Sequence, residues 1–186
     1  MSHHDIAYLP ETPAHDAEIE LINEEAFGPG RFAKAAYKIR EGGGHDRALS
    51  HVAVVDGQVI ASVRLTPIAA GEGEALLLGP LAVRPAFKNM GIGRKLVAIA
   101  LETAREAGAG VVLLVGDQPY YGPLGFEIVP HGQIRMPRPV DARRLLAAEL
   151  VPGALAKLQG DVLHASLVKR RESALAAVRV KKAQRG

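Results

Sequence analysis

Two periods of apolar positions divide the chain into strands and helices. Residues 49–55 and 58–65 are rich in valine and other apolar side chains, and Asp56 and Gly57 separate them. An Asp-Gly pair between two such runs is typical of a tight hairpin, because both residues tolerate positive φ. The pattern predicts a β-hairpin over residues 49–65, followed by a looser turn at residues 70–73.

Apolar residues spaced three and four apart predict two helices near the start of the chain. Residues 12–13, Thr-Pro, are typical of an N-cap and first helical position. The pattern then continues through Ile19, Ile22 and Ala26. This helix is predicted to end at residues 27–30, FGPG, and residues 31–40 are predicted to form a second helix. The glycines at 42–44 that stop it are expected to form a mobile loop or a plain linker.

An apolar run over residues 75–83 predicts the central strand of a sheet. Gly79 and Pro80 interrupt the run. Proline has no N–H to donate to a neighbouring strand, so the strand should bulge or end there. A bulge leaves nearby backbone groups unpaired and available to a ligand.

A glycine-containing loop and a helix follow this strand. The helix is predicted over residues 94–107, where apolar positions recur at helical spacing, and Gly108 ends it. Gly91 and Gly93 precede it and leave backbone N–H groups at a helix N-terminus open to an anion. The loop lacks the hydroxyl residue of a P-loop and the third glycine of a dinucleotide-binding fingerprint. Strand, bulge, loop and helix together predict a site for a phosphate-bearing ligand.

The second half of the chain contains further candidate strands. Residues 111–115 form an apolar run that should lie parallel to the central strand, because a helix connects the two. Residues 126–129, 134–136 and 162–165 are also predicted as strands. The pattern of residues 143–151 fits either a helix or a strand.

The composition excludes several classes of protein. The chain has 186 residues, 48% of them hydrophobic and 23% charged, which suits one globular domain with an extension. It has no cysteine, which excludes disulfides, thiolate zinc sites and a cysteine nucleophile and is compatible with the cytoplasm. The sequence shows no secretory signal, no apolar stretch that could span a bilayer, no zinc-ligand spacing and no GxSxG hydrolase motif.

The charges are unevenly distributed along the chain. The formal net charge of +3 suits a polyanionic ligand without requiring nucleic acid. Residues 1–30 hold seven acids and no lysine or arginine, whereas residues 167–186 hold seven basic residues and one acid. We expect a solvated tail there, with an interaction with acidic partners as the alternative. This divides the chain into a domain of residues 1–166 and a basic C-terminal extension of residues 167–186.

Two blocks of the sequence resemble those of a known enzyme family. The loop from Lys88 to Gly93 is similar to the acetyl-CoA-binding motif of the GNAT N-acetyltransferases, Gln/Arg-x-x-Gly-x-Gly/Ala, with lysine in place of glutamine or arginine. Lysine keeps the positive charge but lacks the planar guanidinium of arginine, which can form two parallel hydrogen bonds to a phosphate. The second block, residues 111–126, contains a strand-like run followed by Tyr120-Tyr121 and Leu124-Gly125-Phe126. The whole run of GPLAV, GIGR, LVGD, YY and LGF is similar to the bacterial YhbS-like subgroup. The resemblance covers roughly residues 6–163.

The resemblance implies the fold. It implies an α/β GNAT (acyl-CoA N-acyltransferase) fold, with a mixed, mostly antiparallel sheet that splays beside the bulge and helices on both faces. It makes residues 143–151 a strand. It also implies that the first two helices line the site of the acyl acceptor.

The resemblance further implies the site that holds acetyl-CoA. The backbone N–H groups near Leu81 and Ala82 would bind the acetyl carbonyl, and the glycine loop would bind the pyrophosphate. The residues predicted to bind the co-substrate are Leu81, Ala82, Val83, Lys88, Asn89, Met90, Gly91, Ile92, Gly93 and Arg94. No metal is expected.

Tyr121 is the predicted catalytic residue. In the family, a tyrosine four residues before the glycine of a Gly-Phe pair commonly serves as general acid, here toward the sulfur of CoA. The structural alternative is a tyrosine at the core edge whose hydroxyl is bonded to backbone. Tyr120 is expected to pack. Asp117, Glu24 and Glu25 fit solvated or capping roles better than a catalytic base, so no base is assigned.

The implied function is transfer of the acetyl group of acetyl-CoA to a primary amine by direct attack in a ternary complex. The acceptor, a small molecule or a protein amine, is not identified by the sequence. Nucleic acid and membrane partners are not expected, a homodimer is compatible with the sequence, and the expected location is cytoplasmic. The alternatives are a degenerate acyl-CoA-binding or sensing module, and a ribosome- or nucleic-acid-associated protein that uses the basic tail.

Overall fold

The computed structural model describes residues 5–183, so that residues 1–4 of the predicted domain and 184–186 of the predicted extension lie outside the described part. The strands are β1 (Ala7–Pro10), β2 (Asp46–Val55), β3 (Gln58–Gly71), β4 (Gly73–Val83), β5 (Val111–Val115), β6 (Glu127–Ile128), β7 (Ile134–Arg135), β8 (Leu145–Glu149) and β9 (Leu158–His164). The α-helices are α1 (Asp16–Phe27), α2 (Ala35–Arg40), α3 (Ile92–Glu106), α4 (Gln118–Tyr121) and α5 (Ala165–Ala183).

The strands form one mixed sheet in the order β1-β2-β3-β4-β5-β8-β6, and β9 pairs with both β3 and β7. The β4–β5 and β7–β9 pairs are parallel, and the other pairs are antiparallel. The predicted mostly antiparallel α/β sheet, the parallel β4–β5 pair and the strand within residues 143–151 are thus confirmed. The hairpin turn is confirmed as well, since Asp56 and Gly57 have φ values of 49° and 80°.

Helices cover both faces of the sheet. On one face, α3 buries an apolar stripe against β2, β3, β4 and β5, formed by Leu96, Val97, Ala100, Leu101 and Ala104. On the other face, Ile19 and Ile22 of α1 pack against Val52, Val59 and Ala82. Because alternate residues of a strand point to opposite faces, β4 contributes Leu76 and Leu78 to the core under α3 and Leu77 to a separate apolar cluster with Ile39 and Leu113.

The predicted bulge lies in β4. Val63 of β3 pairs with Leu81 and Leu65 pairs with Leu78, so Gly79 and Pro80 together oppose a single residue, Arg64. On the other side of β4, the described pairing with β5 consists of Leu76 with Val112 and Leu77 with Leu113. The two parallel strands therefore diverge from the bulge onward, which opens the sheet.

The predicted second helix over residues 31–40 is wrong in its first half. A 3₁₀ turn, Pro29–Ala33, comes first, and Lys34 is extended with φ −74° and ψ 150°. The Lys34 carbonyl accepts hydrogen bonds from the amides of Tyr37 and Lys38 and so begins α2. No Ser, Thr, Asp or Asn marks this start, which is why the sequence pattern did not reveal the break.

The glycines at 42–44 form neither a mobile loop nor a plain linker. The Gly42 carbonyl accepts a hydrogen bond of 3.0 Å from the Ser166 hydroxyl, and the Gly44 carbonyl accepts one of 2.9 Å from His164 Nε2. A Cβ at Gly43 would clash with the His164 ring. Gly42 and Gly43 are needed because β9 and the start of α5 pack directly on this turn, whereas a Cβ at Gly44 would meet open space.

The remaining elements differ from the prediction mainly in their bounds. β3 runs on to Gly71, α3 begins at Ile92 rather than at residue 94, and the strands predicted at 126–129 and 134–136 shorten to β6 and β7. β9 begins at Leu158, before the predicted residue 162, and ends one residue earlier. The predicted solvated tail is helical from Ala165, and its side chains are exposed from Lys169 onward where they are described.

The described residues contain neither a membrane-spanning helix nor a metal-binding cluster. Between residues 5 and 183, no helix is both long and apolar enough to cross a membrane. In the same range, no group of three or more histidine, aspartate or glutamate side chains could hold a metal ion. The cytoplasmic location and the absence of a metal stay predictions.

Candidate active site

A cleft of about 1160 Å³ opens where β4 and β5 diverge. The bulged half of β4 forms its floor, and the loop before α3 lies on one side. The end of α1, the following 3₁₀ turn and α2 lie on the other side, together with residues 139–141 and Arg144. Every predicted site residue lines this cleft except Met90, whose exposed fraction is 58%.

The glycine loop turns sharply into the N-terminus of α3. Asn89 and Gly91 both have positive φ, 64° and 77°, and Gly91 is the N-cap. The amide of Lys95 donates to the Gly91 carbonyl, so the amides of Ile92, Gly93 and Arg94 precede the first hydrogen-bonded turn. These amides can donate to an anion at the positive end of the helix dipole. Asn89 in the left-handed region was not predicted.

Tyr120 ties this loop to the segment that follows β5. A Cβ at Gly93 would lie 2.7 Å from the Tyr120 hydroxyl, so a side chain larger than hydrogen at position 93 would displace the tyrosine. The Arg94 guanidinium lies over the Tyr120 ring, 5.2 Å from its centroid. Tyr120 therefore packs, as predicted, and also explains the second glycine of the motif.

The open edge of β4 presents backbone amides to the cleft. The Arg84 amide donates to the Ile60 carbonyl of β3. Alternate residues of a strand turn their amides the same way, so the Ala82 amide also faces β3. The amides of Leu81 and Val83 accordingly face the gap that β5 leaves. Leu81 therefore remains a candidate for the predicted role, whereas the Ala82 amide, which faces β3, is not available for it.

Tyr121 is held at the cleft wall by close packing. A Cβ at Gly116 would clash with its ring, and Phe126 meets it edge-to-face with 5.8 Å between centroids. Burial, with the neighbouring Tyr120 and Asp117, raises the pKa of Tyr121 to about 12. In the part of the chain that the structure describes, no protein group hydrogen-bonds its hydroxyl. The phenol is thus protonated at neutral pH and able to donate to a ligand.

The carboxylates near the cleft are engaged with arginines. Asp117 lies 3.2 Å from Arg144, and Asp141 lies 2.9 Å from Arg143. The hydrogen bond from Arg143 lowers the pKa of Asp141, which makes it a weak base. Glu25 pairs with Arg84, and Glu24 does not line the cleft. These contacts agree with leaving the base unassigned.

Sequence reasoning missed the arginine that reaches the bulge. Arg40, the last residue of α2, donates from Nη1 to the Gly79 carbonyl at 3.0 Å and lies over the Tyr37 ring at 4.6 Å. Gly79 is 39 residues away in the chain. Basic residues at a helix end are common, so no local signal distinguishes Arg40.

A buried charge cluster behind the bulge was also missed. The side chain of Glu11 has no exposed surface. Its carboxylate oxygens accept hydrogen bonds of 2.8–3.0 Å from the side chains of Arg64, Arg47 and His45. Arg64 also reaches Asp16 and Glu20, each at 3.2 Å. Since Arg64 is the residue opposite Gly79 and Pro80, this cluster anchors β3 at the bulge.

Comparison with known proteins decides the family. A sequence model described as the acetyltransferase (GNAT) family matches residues 16–126, more than half of the chain. This chain belongs to the GNAT family. The matched range contains both the glycine loop and Tyr121, so the resemblance inferred from these blocks is confirmed.

Individual relatives agree with this family assignment. The chain is 33% identical over 129 residues to YhbS of Escherichia coli K12, an uncharacterised N-acetyltransferase, a match that covers 67% of this chain and 75% of YhbS. The crystal structure of E. coli YhbS in complex with CoA superimposes with a TM-score of 0.74 and 26% identity, covering 88% and 92% of the two chains.

A second solved structure is similar over almost its whole length. It is a GNAT family acetyltransferase from Brucella melitensis in complex with acetyl-CoA. It is 30% identical, has a TM-score of 0.65 and covers 89% of this chain and 99% of its own. The protein is therefore an acetyltransferase of the GNAT family with the corresponding fold.

Proposed function

We propose that this GNAT enzyme transfers the acetyl group of acetyl-CoA to a primary amine by direct attack within a ternary complex. The observation that carries the proposal is one cleft that joins the three parts such a reaction requires. The glycine loop can hold phosphates, the open edge of β4 can hold the acetyl carbonyl, and Tyr121 can donate to the sulfur.

The glycine loop suits the pyrophosphate of CoA. Three amides at the N-terminus of α3 converge on one place, and Lys88 and Arg94 add positive charge beside them. The relatives from E. coli and B. melitensis were solved with CoA and acetyl-CoA. Lysine at position 88 supplies a point charge, so we expect the backbone amides to contribute most of the directionality.

The chemical step needs a place for negative charge on the acetyl oxygen. As the amine nitrogen bonds to the carbonyl carbon, the carbonyl oxygen gains negative charge. When the resulting tetrahedral intermediate collapses, the carbon–sulfur bond breaks. The Leu81 and Val83 amides, which face the gap, are our candidates for the donors. Loss of one such donor costs roughly a hundredfold to a thousandfold in comparable hydrolases.

Tyr121 is assigned to the departing sulfur. The amine nitrogen loses a proton overall and the sulfur gains one, so a donor beside the sulfur favours cleavage. An ordinary thiol has a pKa of about 8.5, well below the value near 12 of Tyr121. Complete transfer from the phenol alone would therefore be uphill. We infer that Tyr121 stabilises the sulfur by a hydrogen bond and passes on a proton only as another proton replaces it.

Two measurements test the proposal. Calorimetry with CoA should show binding, and turnover of acetyl-CoA with a panel of primary amines should release CoA and form acetylated product. CoA binding without turnover of any amine would favour the acyl-CoA-binding module. Failure to bind CoA or acetyl-CoA would refute the proposal altogether.

A further inference from the structure

The side of the cleft away from the glycine loop is rich in positive charge. It is lined by Arg31, Lys34, Arg40 and Arg144. The two carboxylates of the described residues that line the cleft, Asp117 and Asp141, are already paired with Arg144 and Arg143. This side therefore lacks the free carboxylates that a cationic polyamine would need.

Arg40 is a cation of this group that reaches the bulge. Its Nη1 donates to the Gly79 carbonyl, and its Nε is buried without a hydrogen-bond acceptor in the described structure. No carboxylate of residues 5–183 forms an ion pair with it. Burial lowers the pKa of Arg40 from its ordinary value, as expected for a cation that has lost water and gained little opposite charge.

Arg64 differs from Arg40 in having carboxylate partners. Arg64 lies nearby on β3 and contacts the carboxylates of Glu11, Asp16 and Glu20. Its charge is compensated inside the protein, while that of Arg40 is not. A guanidinium is costly to leave partly buried without an anion, and its planar fork matches carboxylate and phosphate oxygens.

We propose that the acceptor is an amine that also carries an anionic oxygen group, a carboxylate or a phosphate, which Arg40 receives. This inference rests on the proposed function. It selects among the acceptors that the sequence left open, in favour of amino acids or amino phosphates. Arg40 then determines specificity without taking part in the chemical step.

The position of Arg40 limits the size of such an acceptor. Arg40 holds Gly79, and the candidate carbonyl donor Leu81 is two residues further along the strand. Two residues span at most about 7 Å. Arg40 and the candidate carbonyl donor therefore lie in the same part of the cleft, which favours a compact acceptor over a long one.

The test compares matched acceptors on the full-length protein with saturating acetyl-CoA. The panel contains α- and ω-amino carboxylates with their primary amides, aminoalkyl phosphates with their amino alcohols, and polyamines. The variants are Arg40→Gln and Arg40→Lys. The control is Lys38→Gln, which removes one positive charge from the same helix outside the cleft.

We expect anionic acceptors to be used roughly 10- to 100-fold better in kcat/KM than their neutral partners, mainly through KM. Arg40→Gln should abolish that preference, because the anionic acceptors should lose far more than any loss that the neutral partners share through the lost contact with Gly79. Arg40→Lys should restore part of the preference, and Lys38→Gln should change nothing. The ratio of kcat/KM for amino carboxylates to that for aminoalkyl phosphates shows which anionic group the site prefers.

Equal use of charged and neutral partners, or a preference for polyamines, would overturn the inference and leave the proposed function standing. An equal loss on every acceptor in Arg40→Gln would show that Arg40 only supports the bulge. If the variant does not fold, the wild-type comparison alone still decides. Failure of acetyl-CoA to bind, or of every amine to react, would instead count against the proposed function.

Discussion

At the scale of single residues, three glycines of the site are required, one by its backbone conformation and two by the space around them. Gly91 has positive φ and open space around it, so its conformation explains it. Gly93 and Gly116 are required by space, because Tyr120 and Tyr121 occupy the positions where their side chains would lie. The two tyrosines, 4.7 Å apart between ring centroids, are thus positioned by two glycines that precede them in the chain.

Gly91→Glu should abolish CoA binding. The substitution places a negative charge beside the proposed pyrophosphate site and adds a side chain at a positive φ of 77°. Gly108→Glu is the matched control, because Gly108 has φ 81° and open space at the other end of α3. Calorimetry should show wild-type affinity for the control and none for Gly91→Glu. Unchanged affinity in a folded Gly91→Glu protein would refute the loop assignment.

Tyr121→Phe should lower kcat while CoA affinity changes little, because phenylalanine keeps the shape and removes the donor. General acid assistance is typically worth about a hundredfold to ten-thousandfold. We expect the lower end, because a pKa near 12 favours hydrogen bonding over proton release. Tyr8→Phe, on β1 outside the cleft, is the control. Wild-type turnover by Tyr121→Phe, with chemistry shown to be rate-limiting, would make Tyr121 a packing residue.

The pH profile offers an independent check on Tyr121. Because its pKa is raised from 10.0 to about 12, the phenol keeps its proton until the pH approaches that value. Activity should therefore rise with pH as the acceptor amine deprotonates, and no falling limb due to Tyr121 should occur below pH 10. A limb near pH 9 that disappears in Tyr121→Phe would contradict the assigned pKa.

At the scale of elements, the junction of β3 and β4 determines the shape of the site. Arg64 opposes the bulge, and its guanidinium is held by the buried Glu11 just after β1 and by acids of α1. The bulge is therefore held by the ion pairs of Arg64 on the neighbouring strand and by the hydrogen bond from Arg40 to the Gly79 carbonyl. Both contacts bring together segments that are distant in the chain.

Glu11→Gln should destabilise the fold strongly, because it leaves Arg64 without its buried counter-charge. Removing one partner of a buried ion pair typically costs about 3–5 kcal/mol. Denaturant unfolding should show this loss, whereas Glu72→Gln, at an exposed turn, should stay near wild type. A change below 1 kcal/mol would mean that the cluster contributes little.

The same cluster predicts how stability depends on pH. Burial alone would raise the pKa of Glu11, but hydrogen bonds from His45 and Arg64 outweigh it and hold the pKa below 4.5. A carboxyl whose pKa is depressed in the folded state stabilises the fold above its unfolded pKa. The contribution should be lost as pH falls below about 4.5, and the wild-type advantage over Glu11→Gln should shrink there.

At the scale of the whole molecule, the chain closes on itself at the start of α5. β9 pairs with the end of β3, and the residues that follow it pack on the glycine turn after α2. Ala165 is buried and residues 166–168 are partly buried, whereas Lys169 onward is exposed where described. Residues 166–168 are thus packed against the domain, and the division of the chain after residue 166 stays a prediction.

Truncation after Val168 should leave CoA binding and acetyl transfer unchanged, because the one ion pair of the segment's described side chains is an exposed contact of 3.9 Å from Lys169 to Glu74. Truncation after Ala165 should lower thermal stability, since it removes the Ser166 hydrogen bond and the Leu167 contact at Gly42. If the protein truncated after Val168 folds but no longer binds CoA, the basic extension belongs to the site.

Much of the fold and part of the site could be predicted from neighbouring residues. The Asp56-Gly57 hairpin, the bulge at Gly79-Pro80 and the glycine loop depend on the conformational limits of a few consecutive residues. The strand at 145–149 needed the family resemblance, because its apolar pattern fits two structures. The break at Lys34 was missed because backbone carbonyls, not a polar side chain, begin α2.

The sequence by itself determined the β2–β3 hairpin, the place where the central strand is interrupted and the loop that can hold phosphates, because these are consequences of local sterics and periodicity. The tertiary structure alone decided which distant residues meet there. Arg40 reaches Gly79, Glu11 receives Arg64 across 53 residues, and Tyr120 covers Gly93. Such contacts depend on strand register and on the divergence of β4 and β5, which no local pattern specifies, and they determine the charge of the cleft.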